Sequence, residues 1–515
     1  MLFLLPVLTG ILLTLSFPRS DLGWLAWPAY APLVVFVFRA GSPAKAFSGG
    51  FVAGAIQYFV LLIWMPEVLI SYGGLPAVLA WLGYTLLIAV LACYPAAASL
   101  LSGFLIKRCG PTFILAFPAI WICMEYLQTV SPFGGLPWLL AGYTQFRFIR
   151  LIQIADITGV YGISFLILSF GTAVAWIIVN RGRNLRAYVP LALACAFAVG
   201  ALSYGGAALE RWSAGEPQYR VAMLQGNISF DDPEALLMDK VHTGYVRMAD
   251  GLDSSVTDLL ILPEAPTPLS YDADSGYRRT LQDLARRFRF GLVFNNIRES
   301  GSGGTRLFYN SAYFLDGKGM LQGVYDKIHL VPFGEYIPLR KLLFFIDIIS
   351  KDVGEFAAGR NYALIETAGR PVSAVICFEA VFPQLVREFV RQGSQLIVNI
   401  TNDRWYGDSA APFQHLAIVR MRAIENRRYL LRAANSGISA VVEPSGRITS
   451  STGILQEAVC QGSFDFQTYR TLYTRYGDFF VFLCAIISCG LSVFAMRKCS
   501  KDAADSGGMN ARRTS

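Results

Sequence analysis

The sequence predicts a membrane-embedded bundle of apolar helices joined to an α/β domain that lies in water. Three observations favour this fold class. The 515-residue chain is 54% hydrophobic and 16% charged, with a mean hydropathy of +0.45, and soluble enzymes of this length are less apolar. Most of the long apolar stretches fall within the first 208 residues. Residues 219–466 instead alternate short apolar runs with helical patterns, which is typical of helices layered on a sheet.

A helix needs about 20 mostly apolar residues to cross a bilayer. We predict eight such helices, near residues 2–17, 23–39, 49–71, 75–106, 111–130, 158–180, 188–208 and 479–496. The first has no basic n-region and no small-residue cleavage site, so it is predicted to be a helix rather than a signal peptide. The residues after the last helix are rich in Ser, Gly, Asp and Arg, which predicts a disordered tail over 498–515.

The distribution of basic residues predicts the orientation. If the N-terminus is cytoplasmic, twelve Lys and Arg residues lie in the inner connections and tail, and three lie in the short outer connections. This bias follows the positive-inside rule. The inner set is Arg39, Lys45, Lys107, Arg108, Arg181, Arg183, Arg186, Arg497, Lys498, Lys501, Arg512 and Arg513, and the outer set is Arg19, Arg147 and Arg150. The predicted domains are therefore a seven-helix bundle (1–208), a domain outside the cytoplasm (209–478), an eighth span (479–497) and a cytoplasmic tail (498–515).

Composition also limits the partners. The formal charge of +8 does not form a basic stripe, so the lipid bilayer is the expected partner and nucleic acid is not. The nine cysteines show neither disulfide-framework spacing nor a Cys-x-x-Cys pair, and we expect no metal and no cofactor. Two acidic residues, Glu67 and Glu125, lie within predicted spans near their outer ends, where a functional role and simple hydration are both open.

Three polar residues follow apolar runs in the predicted α/β domain. Glu264 follows Leu259–Pro263, Lys327 follows a run ending at Asp326, and Cys377 follows Pro371–Ile376. Taken singly, each has an ordinary explanation as a surface charge or an inert core thiol. Because chemistry gathers at the carboxyl ends of strands in α/β sheets, we expect the three side chains to share one site.

The three residue types fit nucleophilic catalysis. A thiol with an ordinary pKa near 8.5 needs a base, and a glutamate in a partly apolar pocket can serve, so Cys377 is the expected nucleophile and Glu264 the general base and acid. Lys327 and the main-chain N–H of Phe378 would stabilise the oxyanion. A Cys-His pair using His329 or His415 is a weaker alternative. Whether Cys460 pairs with Cys377 is not decided by the sequence.

The motifs around these residues resemble the nitrilase (carbon-nitrogen hydrolase) superfamily. They are LLILPEAPTP, YDKIHLVPFGEYIP and VICFEA, which carry Glu264, Lys327 and Cys377. With eight spans around such a domain, and with GLPWLLAGYTQ at 135–145 and NDRWYGDSAAPFQHL at 402–416, the chain resembles the apolipoprotein N-acyltransferase family of Gram-negative inner membranes. The resemblance implies an α-β-β-α sandwich for the domain outside the cytoplasm.

The resemblance also implies roles for further residues. Glu335 and Glu379 are the supporting acids, Phe378 supports the site where relatives commonly carry a tyrosine, and Trp405 belongs to a mobile lid. We expect Trp405 and Trp138, which lies in the long outer connection, to bind substrate. A tryptophan that some relatives carry shortly after LQGNI (224–228) has no clear equivalent here.

The implied activity is ping-pong acyl transfer, the final step of lipoprotein maturation. Cys377 would take an acyl group from a phospholipid such as phosphatidylethanolamine, and the α-amine of the diacylglyceryl cysteine of an apolipoprotein would receive it. The site would face the periplasm from a multi-pass inner-membrane protein. A membrane-tethered amidase or nitrilase that releases the acyl group to water is the alternative enzyme. A transporter or scaffold is the non-enzymatic alternative, and the scarcity of intramembrane charge counts against it.

Overall fold

The computed structural model describes residues 2–182, 184–212, 216–229, 232–265, 267–301, 306–337 and 356–511, with side chains described up to residue 497. Two compact units are present. The helical unit comprises residues 1–63, 81–206 and 478–515, and the sandwich unit comprises residues 64–80 and 207–477.

The α-helices of the described residues include most of the predicted apolar stretches. In chain order they are α1 (Leu4–Ser16), α2 (Ala26–Arg39), α3 (Pro43–Leu61), α4 (Met65–Ser71), α5 (Ala77–Cys109), α6 (Phe117–Val130), α7 (Ala155–Thr158), α8 (Val160–Val179), α9 (Val189–Trp212), α10 (Glu234–Asp239), α11 (Tyr245–Asp250), α12 (Ser275–Ala285), α13 (Pro383–Gln392), α14 (Ala411–Asn426), α15 (Leu472–Tyr476) and α16 (Phe479–Ala511).

Within the described residues, six helices are long and apolar enough to cross a membrane. They are Pro43–Leu61, Ala77–Cys109, Pro111–Val130, Val160–Val179, Leu185–Trp212 and Phe479–Arg497. The chain is therefore a membrane protein by composition and helix length. The first two predicted spans correspond to the shorter α1 and α2, of 13 and 14 residues.

The predicted third span, 49–71, is divided in the structure. Helix α3 ends at Leu61, and α4 begins at Met65 with a proline in its first turn. Proline lacks a backbone N–H and fits the first turn of a helix but not its interior, so it favours a new helix at this point. Helix α4 belongs to the sandwich unit. At the other end of the chain, the described backbone of α16 is helical as far as Ala511.

The sandwich unit contains two six-stranded sheets. Their orders are β12-β1-β2-β3-β4-β5 and β11-β10-β9-β8-β7-β6. The strands are β1 (Tyr219–Gln225), β2 (Leu259–Ile261), β3 (Gly291–Ser300), β4 (Leu307–Leu315), β5 (Leu321–Asp326), β6 (Ile365–Thr367), β7 (Arg370–Ile376), β8 (Leu396–Thr401), β9 (Leu430–Ala434), β10 (Ala440–Val442), β11 (Ile448–Ser451) and β12 (Ala458–Phe464). This confirms the predicted α/β domain with two sheets.

Helices cover the outer face of the first sheet. Apolar side chains alternate along its central strands, and those on one face meet α11 and α12 in a closed core. The sheet side contributes Ala222, Leu224, Leu260, Leu262, Leu292, Phe294, Tyr313 and Leu315, and the helix side contributes Tyr245, Ala249, Tyr277, Leu281 and Leu284. Burial of this face explains why the runs that form β1, β2 and β3 are apolar in the sequence.

Strand direction brings the predicted site residues together. In the first sheet β2 and β3 are parallel, and β5 runs in the same direction because β4 is antiparallel to both neighbours. In the second sheet β7, β8 and β9 are parallel. Glu264 follows β2, Lys327 follows β5 and Cys377 follows β7, so each lies where its strand ends.

Candidate active site

Cys377 lies at the sharp turn between β7 and a 3₁₀ turn, Cys377–Val381. Its φ of 51° is in the left-handed region, which is uncommon for a residue with a side chain. Such strain persists only where the surroundings fix it, and it often marks a functional residue. Cys377 is 5% exposed, and its sulfur accepts a hydrogen bond from the Thr401 hydroxyl. Burial, followed by the negative charge of Glu264, raises the pKa of the thiol, so the resting group is protonated.

The Glu264 carboxylate is held from both sides of the sandwich. The Asn310 side-chain amide donates to Oε1 at 2.8 Å, and the main-chain N–H of Asn402 donates to Oε2 at 3.0 Å. A further side-chain hydrogen bond joins Glu264 to the Cys377 thiol. Burial raises the pKa of Glu264, and the charge of Lys327 partly opposes that rise. A carboxylate beside a protonated thiol, with its pKa moved upward, has the properties of a general base.

Lys327 is a buried cation, 1% exposed, between carboxylates. Its Nζ donates to Glu335 Oε1 at 2.9 Å, and that same oxygen accepts the Asn310 amide at 3.0 Å. Burial acts to lower the pKa of Lys327, but the charges of Glu335 and Glu264 outweigh it and raise the pKa. The ammonium is therefore permanently charged beside the thiol, where it can stabilise an oxyanion.

Glu335 is positioned by its own loop. Its Oε2 accepts the main-chain N–H of Val331 at 2.8 Å, and its side chain is 12% exposed. One carboxylate thus holds both Lys327 and Asn310, and Asn310 in turn holds Glu264. These hydrogen bonds join Glu264, Glu335 and Lys327 in one network.

Glu379, with 0% of its surface exposed, ties the Lys327 segment to the Cys377 segment. Its Oε1 accepts the Tyr325 hydroxyl at 2.7 Å and the main-chain N–H groups of Ile328 at 2.7 Å and His329 at 3.0 Å. Its Oε2 accepts the N–H of Ile376 at 2.8 Å. Burial raises the pKa of Glu379, and these hydrogen bonds offset part of the rise.

A buried charged cluster lies next to the nucleophile turn. Arg432, 0% exposed, donates to Asn399 Oδ1 at 2.5 Å and to Asp403 Oδ2 at 2.6 Å. The His415 ring lies 3.1 Å from Asp403 Oδ1 and makes a hydrogen bond to the main chain of Cys377. Burial acts to raise the pKa of Asp403, but the contacts with Arg432 and His415 outweigh burial and lower the pKa to about 2. This ion pair fixes β8, β9 and α14 around the Cys377 main chain.

The aromatic residues of the prediction lie in different places. The Phe378 ring packs edge-on against Phe382 with centroids 5.0 Å apart. Trp405, in the 3₁₀ turn Asp403–Tyr406, packs edge-on against Tyr72 at 4.8 Å. Trp138 belongs to the helical unit, where it is 2% exposed and its carbonyl accepts the Gln128 amide at 3.0 Å. Binding of substrate by Trp138 and Trp405 stays a prediction.

The alternative nucleophile partners are engaged elsewhere. The His329 ring packs against Phe382 at 3.8 Å, and burial together with Lys327 lowers the pKa of His329 to about 4. His415 makes a hydrogen bond to the main chain of Cys377 and lies 3.1 Å from Asp403 Oδ1. Cys460 is a buried free thiol on β12, 3.4 Å from the Ser450 hydroxyl. Glu264 is therefore the residue whose position suits a base for Cys377.

Two site residues were not found by sequence reasoning. Asn310 lies in the middle of β4, where its neighbours predict only a buried strand, and the Asn402 contribution comes from a main-chain N–H. The adjacent Asn402-Asp403 pair at the end of β8 was a usable signal, because polar residues at the carboxyl end of a parallel strand commonly face a site.

The fold and the site define a class of protein: membrane helices joined to a carbon-nitrogen hydrolase domain with a cysteine, a glutamate and a lysine at one edge of its sheets. A family model described as carbon-nitrogen hydrolase matches residues 220–474. A model described as the apolipoprotein N-acyltransferase N-terminal domain matches residues 9–173.

Full-length comparisons identify the family. The chain is 37% identical to an apolipoprotein N-acyltransferase of Geobacter metallireducens, covering 96% of this chain and 95% of that one. It is 33% identical to that of Methylococcus capsulatus, covering 92% of each chain. Saccharomyces cerevisiae Nit3, a solved nitrilase-superfamily structure, is 20% identical with a TM-score of 0.37, covering 48% of this chain and 91% of that one. The chain belongs to the apolipoprotein N-acyltransferase family.

Proposed function

We propose that this protein transfers an acyl group from a phospholipid to the α-amine of the diacylglyceryl cysteine of apolipoproteins. The observation that carries the proposal is the contact of the Cys377 thiol with the Glu264 carboxylate beside the buried Lys327 ammonium. Membership in the apolipoprotein N-acyltransferase family supports the choice of reaction.

The first half-reaction forms a thioester. Glu264 takes the proton of the Cys377 thiol as sulfur attacks the sn-1 ester carbonyl of the phospholipid. The tetrahedral oxyanion lies between Lys327 Nζ and the main-chain N–H of Phe378. The ester C–O bond then breaks, Glu264 gives the proton to the leaving oxygen, and a lysophospholipid departs. The raised pKa of Glu264 suits a group that must both accept and return a proton.

The second half-reaction uses the same groups. The α-amine of the diacylglyceryl cysteine attacks the thioester carbonyl, Glu264 accepts a proton from the amine, and the oxyanion again lies at Lys327. The C–S bond breaks, and the thiolate of Cys377 regains a proton from Glu264. A thioester reacts readily with an amine, which is why a cysteine suits both halves of the reaction. Exclusion of water separates a transferase from a hydrolase.

The proposed setting is the inner membrane of a Gram-negative bacterium. The eight predicted spans, with a cytoplasmic N-terminus, would place residues 209–478 in the periplasm, and the Lys and Arg distribution supports this orientation. Phosphatidylethanolamine is the proposed donor, and lipoproteins with a free diacylglyceryl cysteine are the proposed acceptors. Trp405 and Trp138 are proposed to bind these substrates, with Trp405 on a movable lid.

The test is formation of the acyl-enzyme in membranes containing full-length protein and phospholipid labelled in its sn-1 chain. Wild-type protein is expected to carry label that hydroxylamine releases, and Cys377→Ala to carry none. Cys460→Ala is the matched control, because it removes another buried thiol of the sandwich unit. Undiminished labelling of Cys377→Ala would refute the assignment. Addition of an amine acceptor distinguishes transfer, which yields an amide, from hydrolysis, which yields a free fatty acid.

A further inference from the structure

A threonine at the end of β8 lies beside the nucleophile. Strands β7 and β8 are parallel neighbours, and their register pairs Ile376 with Ile400. The residues that follow this pair are Cys377 and Thr401, so the register of the sheet brings them side by side. Thr401 is 0% exposed, and its main-chain carbonyl accepts the N–H of Asn435 at 3.0 Å. Its position next to the sulfur is therefore fixed by both neighbouring strands.

The Thr401 hydroxyl faces two acceptors. It donates to Asp403 Oδ1 at 3.2 Å, and it also makes a hydrogen bond to the Cys377 sulfur. A hydroxyl carries a single proton, so it donates fully to only one of these atoms at a time. Rotation about the C–O bond moves that proton from one acceptor to the other while the heavy atoms keep their places.

Asp403 is the acceptor whose charge does not change. Arg432 donates to its Oδ2 at 2.6 Å, and His415 Nδ1 lies 3.1 Å from its Oδ1. Because the pKa of Asp403 is lowered to about 2, this carboxylate stays charged throughout the neutral range of pH. When the Thr401 hydroxyl turns away, Asp403 keeps its contacts with Arg432 and His415, so no buried charge is left unpaired.

The Cys377 sulfur is the acceptor whose charge changes during catalysis. A protonated thiol accepts hydrogen bonds weakly, whereas a thiolate is an anion and accepts them strongly. Burial, followed by the charge of Glu264, raises the pKa of Cys377, while Lys327 and the Thr401 hydrogen bond act to lower it. The thiolate is therefore costly to form at this site. A hydroxyl that turns to the sulfur as the proton leaves reduces that cost.

Titratable and charged side chains from three segments surround the Cys377 thiol. They are Glu264 after β2, Lys327 after β5, and Asp403 and Tyr406 in the turn after β8. In the proposed reaction Glu264 takes the thiol proton and Lys327 stabilises the oxyanion. The Thr401 hydroxyl keeps its proton over the whole range in which the carboxylates titrate, so it is able to donate to the sulfur at every stage.

We propose that Thr401 is a further catalytic residue, whose hydroxyl turns from Asp403 to the Cys377 sulfur whenever that sulfur is a thiolate. In the first half-reaction Glu264 takes the thiol proton, and the Thr401 hydroxyl donates to the sulfur without losing its own proton. The thioester sulfur carries no charge, so the hydroxyl then returns to Asp403. The same movement stabilises the thiolate that leaves when the amine attacks. The inference rests on the proposed role of Cys377 as nucleophile but not on the identity of the acyl donor.

The test is the rate at which iodoacetamide alkylates Cys377 in the full-length protein, followed by mass spectrometry of the peptide that contains it. Alkylation needs the thiolate but neither phospholipid nor acceptor, so it reports on the sulfur alone. Thr401→Val removes the hydroxyl and nearly keeps the shape of the side chain. At one fixed pH it is expected to slow alkylation about tenfold, because a hydrogen bond to a charged acceptor is stronger than one to a neutral acceptor.

Thr401→Ser keeps the hydroxyl and is expected to react within about twofold of the wild-type rate. Thr401→Ala lacks the hydroxyl and should be slowed as Thr401→Val is, which keeps the test valid if valine does not pack at this position. Single-turnover acylation by labelled phospholipid should fall by the same factor as alkylation, since both reactions pass through the thiolate.

The matched control is Thr474→Val. It removes another buried hydroxyl of the sandwich unit, which donates to Asn426 Oδ1 at 3.0 Å, and it should lower the melting temperature while keeping the wild-type alkylation rate. Equal slowing in this control would overturn the proposal. So would a wild-type rate in Thr401→Val, or a Thr401→Ser variant as slow as Thr401→Val. If Thr401→Val slowed alkylation but the wild type formed no acyl-enzyme, the acyl-transfer assignment would fail and the contact of Thr401 with the thiolate would stand.

Discussion

Replacement of Glu379 by glutamine tests whether this residue holds the nucleophile turn. The carboxylate accepts four hydrogen bonds, three on Oε1 from Tyr325, Ile328 and His329, and one on Oε2 from the N–H of Ile376. A glutamine that keeps its oxygen toward the first three places its own NH₂ against the Ile376 N–H. Two donors then face each other in a site with 0% exposure.

The expected loss of stability follows from these contacts. An unsatisfied buried N–H costs about 1–3 kcal/mol, and each of the three remaining hydrogen bonds weakens by about 1 kcal/mol when the acceptor is neutral. The glutamine also avoids the cost of burying a charge, which offsets part of this loss. We therefore expect a net destabilisation of about 2–4 kcal/mol. Because Ile376 precedes Cys377, a shift of its amide also moves the thiol, and about a 100-fold slower acyl-enzyme formation is expected.

Thermal unfolding in detergent and single-turnover acylation measure the two effects separately. Glu388→Gln is the matched control, because its side chain is 21% exposed and pairs with Arg391 on the surface. That change should cost less than about 1 kcal/mol and leave acylation unaltered. If Glu379→Gln had the melting temperature and the acylation rate of the wild type, the proposal that this carboxylate holds the turn in place would be refuted.

Three further predictions concern the same unit. Since the pKa of Glu264 is raised and its carboxylate form is the base, acyl-enzyme formation should fall as pH drops through a value above 4.5, as measured by burst kinetics across pH. Arg432→Gln leaves Asp403 buried without its main cation and should destabilise the protein by about 3–5 kcal/mol in thermal unfolding. Gly437→Ala places a Cβ 2.2 Å from Asp403 Oδ2, and strain of about 1–3 kcal/mol should lower the melting temperature and the rate of acylation together.

Matched variants separate these effects from general damage. Arg391→Gln removes a surface guanidinium, 53% exposed, and should change stability by less than about 1 kcal/mol. Gly251→Ala adds a methyl group with its nearest neighbour 3.6 Å away and should be tolerated. Wild-type stability in Arg432→Gln would contradict the buried ion pair. If the acylation rate fell only at or below pH 4.5, the raised pKa of Glu264 would be contradicted. Unchanged acylation in Gly437→Ala would contradict the close contact with Asp403.

Much of the architecture could be predicted from local patterns. Apolar stretches of about 20 residues predicted most of the long helices, because length and hydropathy are properties of a continuous segment. The apolar runs before Glu264 and Cys377 indicated the strands β2 and β7, because a buried strand is a short continuous run of apolar residues. The triad and the family followed from motifs that surround single residues.

The sequence by itself therefore determined the class of fold, the family and the residues proposed for the chemistry. Apolar runs, strand ends and motifs are each properties of a short continuous segment, so they can be recognised without the tertiary structure. The tertiary structure decided how those residues are held. Asn310 on β4 donates to Glu264, and Arg432 on β9 pairs with Asp403, which follows β8. Trp212 packs on Tyr469 although the two residues lie near opposite ends of the sandwich unit's sequence. Such contacts depend on strand register and sheet order, and no local pattern of burial specifies which distant partner a buried polar group will meet.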